Sequence, residues 1–208
     1  MFLCGAKILS VIINHWCSTK KDVWMGFIEM FSSTRGLSAI AVHNLLSAAG
    51  AECPDVSFGM RLQAYAGLRS PEIVELLSEY HPDGGSINFN NNMINVTLGL
   101  KKTTIPEEFT EYVITAYRSH MDYLKSECVD IRCPLFVNSK GTALSVDGYL
   151  RRVKQFGDFI LCSSDASLSG VRDYLIETNS RFTGDMLRHW YAVNIMQKAI
   201  ESRRRLKP

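Results

Sequence analysis

The 208-residue sequence predicts an α+β fold, mostly helical, with one small three-stranded antiparallel sheet. Three observations predict it. Apolar residues recur at helical spacing over most of the chain. Between residues 86 and 105 they alternate instead, broken by Asn-rich and Gly/Lys turns. Proline and glycine mark the borders between these stretches. A hydrophobic share of 46% and a charged share of 21% are those of a globular protein with a core, and they exclude a disordered chain.

Met1 to Arg35 reads as helical and closes on Ser32-Ser33-Thr34-Arg35-Gly36, a linker composition. Its opening, MFLCGAKILSVIINHW, is apolar, but Lys7 interrupts it and it is too short to span a bilayer. A helix is expected over Ser38–Ala49, with Ile40, Val42, Leu45 and Leu46 on one side and Gly50 as its stop. Another is expected over Ser57–Ala66, ended by Gly67. Pro71 and Glu72 open a third, through Leu77, because proline and a carboxylate both suit a first turn.

His81 to Gly85 is a turn, and Ser86–Asn90, Met93–Leu98 and Thr103–Ile105 are the expected strands, with Lys101 and Lys102 in the last turn. Pro106-Glu107-Glu108 opens a helix running to about Ser126. Pro134–Val137 is a short extended piece, and Ser145–Phe159 is helical with Tyr149, Val153 and Phe156 on one side. The last helix starts near Asp185. Along it Met186, Trp190, Val193, Met196 and Ile200 form a stripe at core spacing.

The formal charge of +2 excludes little, but its distribution is uneven. From Arg181 onward there are seven basic residues against two acidic ones, ending in Arg203-Arg204-Arg205, a patch suited to a polyanion such as nucleic acid or to a solvated helix end. The six cysteines are scattered without a Cys-x-x-Cys pair, which reads as idle thiols in a reducing compartment and no metal. No secretory leader is recognised, so an intracellular protein without membrane attachment is expected. No phosphate-cradling glycine loop, metalloprotease helix or serine elbow occurs, which removes support for nucleotide hydrolysis and for a metal or serine hydrolase.

Three basic points remain, in a definite order. Arg69 stands in the turn between two helices in Ala66-Gly67-Leu68-Arg69-Ser70-Pro71-Glu72, Lys101 and Lys102 on the hairpin, and Arg188 three residues after Asp185. Two guanidinium groups can grip the non-bridging oxygens of one phosphodiester, and an ammonium can protonate a leaving oxygen. Each point also has a purely structural reading: Arg69 beside Glu72 as a helix end, the lysines as a solvated turn, Asp185 and Arg188 as a local ion pair.

At these residues the sequence resembles the tyrosine recombinases (phage integrases). AGLRSPEIVEL is similar to that family's first arginine box, the hairpin ending KKTTIP to its lysine-bearing strand pair, PLFV with Gly141 and Leu144-Ser145 to its segment before a helix, and DMLRHWYA to its second box. The resemblance runs from about Gly36 to the end. It implies a recombinase-like catalytic domain over residues 36–208, with 1–35 a linker or remnant of a DNA-clamping domain. It further implies site-specific DNA recombination or integration on duplex DNA by a homo-oligomer, with no cofactor. By the same resemblance Arg69 and Arg188 clamp the scissile phosphate, and Lys101 or Lys102 is the general acid. Asp185 holds the place of that family's histidine, and Tyr191 that of a packing aromatic. The family's nucleophilic tyrosine lies further beyond Arg188 than the twenty residues present here, so no cleavage by this chain alone is expected. The alternative is a catalytically inactive DNA-binding or interaction protein that keeps the fold.

Overall fold

The computed structural model describes residues 36–80, 83–90, 93–127, 129–130 and 134–205, with residues 90 and 199–205 as backbone only. The expectations for Met1–Arg35 therefore lie outside the described residues.

Helix α1 (Ala39–Glu52) begins where the Ser38 hydroxyl accepts the Ala41 N–H at 3.1 Å. Its buried side is Val42, Leu45, Leu46 and Ala49. Contrary to expectation, it runs through Gly50. The stop is Cys53, outside the helical region at φ −144° and ψ 64°, because the residue before a proline is driven out of helical geometry and Pro54 follows.

Helix α2 (Pro54–Ala66) starts three residues earlier than its apolar pattern announces, with Pro54 at its first turn. It is the centre of the molecule, buried from Val56 to Ala66 except for Arg61, and α1, α4, α5 and α7 pack around it. Gly67 ends it in the left-handed region at φ 65°. Helix α3 (Ser70–Val74) is one short turn, ending before the expected Leu77. Leu76 and Leu77 leave it because their backbone is used elsewhere. The Leu76 carbonyl accepts the Leu135 N–H at 2.8 Å, and Leu77 forms an antiparallel bridge with Pro134.

Strands β1 (Ile87–Asn90), β2 (Met93–Leu98) and β3 (Lys101–Thr104) form an antiparallel sheet in that order. Leu98 pairs with Lys101, so the second hairpin turns on Gly99 and Leu100 alone, with Gly99 at φ 54°. The lysines expected in the turn are thus the first two residues of β3. Ile94 and Val96 lie on the buried face.

A 3-10 turn (Glu107–Phe109) leads into α4 (Thr110–Ser126), whose Val113, Tyr117, His120 and Leu124 face inward. Helix α5 (Val146–Cys162), capped by Ser145, buries Tyr149, Val153 and Phe156 as expected. Helix α6 (Ser169–Glu177) was not anticipated, since only Val171 and Leu175 are buried on it and so short a stripe gives little periodic signal. Helix α7 (Gly184–Arg205) closes the fold. On it Leu187 is fully buried, whereas Met186, Trp190, Val193 and Met196 are only half-buried, so the expected stripe is the flank of the contact. The core is aromatic at its middle: Phe58 stacks with Phe136 at 6.2 Å between ring centroids and lies edge-on to Tyr117 at 5.6 Å.

Candidate functional site

The site begins at the end of α2. Only a glycine enters the left-handed conformation cheaply, and Gly67 uses it to reverse the chain so that Leu68 is buried and Arg69 emerges at the surface. Glu72, one turn on, then works with both oxygens. Oε2 accepts the Arg69 N–H at 2.7 Å, and Oε1 takes the Lys101 ammonium in an ion pair. Burial by itself would raise the Glu72 carboxyl. The Lys101 hydrogen bond, the Arg69 N–H and the charges of both residues outweigh it and hold the carboxyl below its ordinary value.

Arg188 arrives from α7. Its Nε donates to the Gly67 carbonyl at 3.1 Å, across 121 residues of sequence, so one nitrogen is spent on anchoring, while the other two make no hydrogen bond among the described residues. The Tyr191 ring, one turn further, lies over Gly67, and a Cβ there would stand 2.5 Å from its Cδ1. Burial raises the Tyr191 phenol above its usual range.

A buried polar hub sits beneath. Gln63, fully buried on α2, donates to Ser70 Oγ at 3.2 Å and accepts the Tyr149 hydroxyl at 2.8 Å. Gly184 packs so closely on its amide that no side chain fits between. One glutamine thus ties the first residue of α3, the first turn of α5 and the start of α7 together. Arg69 and Arg188 each stand within four residues of one of those anchors.

No family model matches the chain, and no curated protein matches its sequence. Solved structures do match it. XerA recombinase superposes with a TM-score of 0.54 at 20% identity, over 78% of this chain and 51% of that one. XerH site-specific recombinase in a post-cleavage complex with a palindromic difH substrate gives 0.52 at 17% identity, over 79% and 42%. Its pre-cleavage complex with difH gives 0.51 at 16%, over 78% and 43%. The chain has the fold of a recombinase catalytic domain. It spans about half or less of those recombinases' length.

Within this recombinase fold the two lysines separate. Successive strand residues face opposite sides of a sheet. Lys101 stands opposite Leu98, on the face shared with Ile94 and Val96, and meets Glu72; Lys102 stands opposite Thr97 on the other face, exposed. Asp185 is exposed in the first turn of α7 and forms no ion pair with Arg188, which is turned to Gly67 instead. The local-pair reading of those two residues is therefore corrected. Arg203, Arg204 and Arg205 belong to the end of α7, and their side chains lie outside the described residues. Among the described residues no group of histidines, cysteines or carboxylates is arranged to hold a metal, and no helix is long and apolar enough to cross a membrane. Cys53 is buried, which pushes its thiol up to about 12 with help from Asp55 and Glu52.

Sequence reasoning missed Glu72 as the joint of the site and Gln63 as its support. Glu72 had a signal, since a carboxylate three residues after a helix start is a capping pattern. For Gln63 the signal was weaker, a single amide within the mostly apolar run from Val56 to Ala66, two residues after Arg61.

Proposed function

We propose that this chain binds duplex DNA as a recombinase-type phosphate clamp. Arg69 and Arg188 hold the non-bridging oxygens of one phosphodiester, and Lys101 is the proton donor to the leaving oxygen. The observation that carries the reading is the linkage of all three groups. Glu72 joins Lys101 to the Arg69 backbone, and Arg188 is fixed to Gly67, two residues before Arg69. In such a reaction a tyrosine oxygen attacks phosphorus and the bond to the leaving oxygen breaks. That oxygen takes its proton from the ammonium, while the guanidinium groups stabilise the charge gathering on the equatorial oxygens. Lys101 is chosen over Lys102 because it shares the Glu72 carboxylate with the Arg69 loop. Tyr191 is assigned to packing: its ring covers Gly67, and a raised phenol is the opposite of an activated nucleophile.

Duplex binding is expected to fall with salt, each lost phosphate contact reducing the slope of log affinity against log salt by about 0.9. Arg69→Ala and Arg188→Ala should each reduce it by about that amount and weaken binding to all sequences alike. Binding that ignores both salt and these substitutions would refute the clamp. A DNA-binding protein that does not cleave is the second reading, favoured by the exposed carboxylate of Asp185 one turn before Arg188, which repels a phosphate. A substrate carrying a nick beside the scissile phosphate separates the two readings. A covalent protein–DNA adduct formed by residues 1–208 supports the enzyme, and binding without adduct supports the second reading.

A further inference from the structure

A cavity of about 560 Å³ opens between α1, α2 and α4, on a set of residues separate from Arg69, Lys101 and Arg188. That volume lies within the usual range for small-molecule sites, roughly 300 to 1,000 Å³. Its charged wall is Arg61, the half-buried cation in the centre of α2. Arg61 makes no hydrogen bond or ion pair among the described residues, although Glu111 lines the same cavity. Its guanidinium lies by the C-terminal turn of α1, with Nη2 3.6 Å from where a Gly50 Cβ would stand. A helix end offers it a fractional charge of roughly half a unit and no full counter-ion. Burial disfavours the charged guanidinium, and the neighbouring Tyr65 and Cys53 oppose that shift. The remaining wall is flat and aromatic. Tyr65 is stacked on Phe109 with centroids 4.5 Å apart, and Tyr112 meets the His43 ring edge-on at 5.4 Å.

We infer that this cavity binds a small organic anion, its carboxylate or phosphate head on Arg61 and a flat apolar body against Tyr65 and Tyr112. A partly desolvated cation with no ion-pair partner among the described residues, beside an open space of ligand size, gives an anion more than it would gain from an exposed arginine. The inference does not depend on the DNA-binding reading, because none of the clamp residues lines the cavity.

The test uses the full chain with three probes: phenyl phosphate, benzoate and inorganic phosphate, followed by calorimetry and by the melting midpoint. The expected result is saturable binding of an organic probe with a rise in midpoint, weakened at least about tenfold in Arg61→Met, a change that keeps an unbranched apolar stem and removes the charged head. Arg69→Ala and Arg188→Ala should leave that binding unchanged. Ser47→Trp, at an exposed position on the cavity wall, should abolish it while the circular dichroism spectrum stays that of the parent. Absence of saturable binding for all three probes overturns the inference, as does undiminished binding in Arg61→Met or Ser47→Trp, or loss of binding in the clamp variants. Equal affinity for inorganic and phenyl phosphate overturns the assignment of an apolar body.

Discussion

Glu72 is the residue on which the candidate site turns, because its two oxygens hold two different parts of the clamp. Glu72→Gln keeps the shape and removes the charge, so Lys101 should lose its ion-pair partner. For a pair with half of the lysine side chain in solvent the cost is small, about 0.2 to 1 kcal/mol, read from urea denaturation. The sign with pH follows from the depressed carboxyl. Its contribution is present above the unfolded value near 4.5 and is lost as pH falls through the lower folded value. The acid arm of the stability profile should therefore shrink in Glu72→Gln.

His120 acts in a higher pH range. It is buried, with Nε2 2.8 Å from the Leu135 carbonyl and Nδ1 3.3 Å from that of Pro54. Burial depresses its folded value, and the two carbonyls only partly offset that. The unfolded chain consequently binds the proton more readily, so stability falls as pH drops through about 6.5 toward the folded value. His120→Gln should flatten that part of the profile. A profile identical to the parent's would show that His120 does not titrate on unfolding.

At the scale of elements, the turn after α2 joins the first arginine to the last helix. Gly67 accepts Arg188 Nε on its carbonyl, carries the Tyr191 ring on its α-carbon and holds a left-handed φ of 65°. Gly67→Ala meets both obstacles, backbone strain and a ring 2.5 Å from the new Cβ. A destabilisation on the order of 1 to 3 kcal/mol is expected by chemical denaturation, with α7 displaced. Duplex binding should weaken in the same variant even though no cation is removed. The β2–β3 hairpin makes the contrasting case. Gly99 also has positive φ, but a Cβ there meets nothing within 4 Å, so Gly99→Ala should cost only the backbone term, about 1 kcal/mol.

Across the whole molecule, α2 is the axle: the first arginine follows it, the candidate anion cavity lies along one side, and Gln63 joins it to α3, α5 and α7. Tyr149→Phe keeps the aromatic packing on Phe136 but deprives Gln63 Oε1 of its donor. A buried acceptor left without a partner costs about 1 to 3 kcal/mol, measurable as a lower melting midpoint. The hub also predicts where the loss is felt. Amide exchange should quicken at the starts of α3 and α7, next to Ser70 and Gly184, rather than in the sheet.

The sequence by itself determined the class of fold, the order of helices and sheet apart from α6, the inward face of α5 and the chain positions of the basic residues. These are properties of local period and of proline and glycine, which act within a few residues. It misplaced the end of α1 by taking Gly50 as the stop where the local signal was Pro54, and the end of α3 because that depends on a backbone partner at Leu135, 59 residues beyond Leu76 in sequence. Only the tertiary structure decided that Lys101 rather than Lys102 meets Glu72, because the pleat and register of β3 choose the face. It alone set Arg188 against Gly67 and placed Arg61 beside a cavity with no ion-pair partner among the described residues. Such pairings join residues whose separation along the chain carries no periodic signal, and they exist only once the helices have packed around α2.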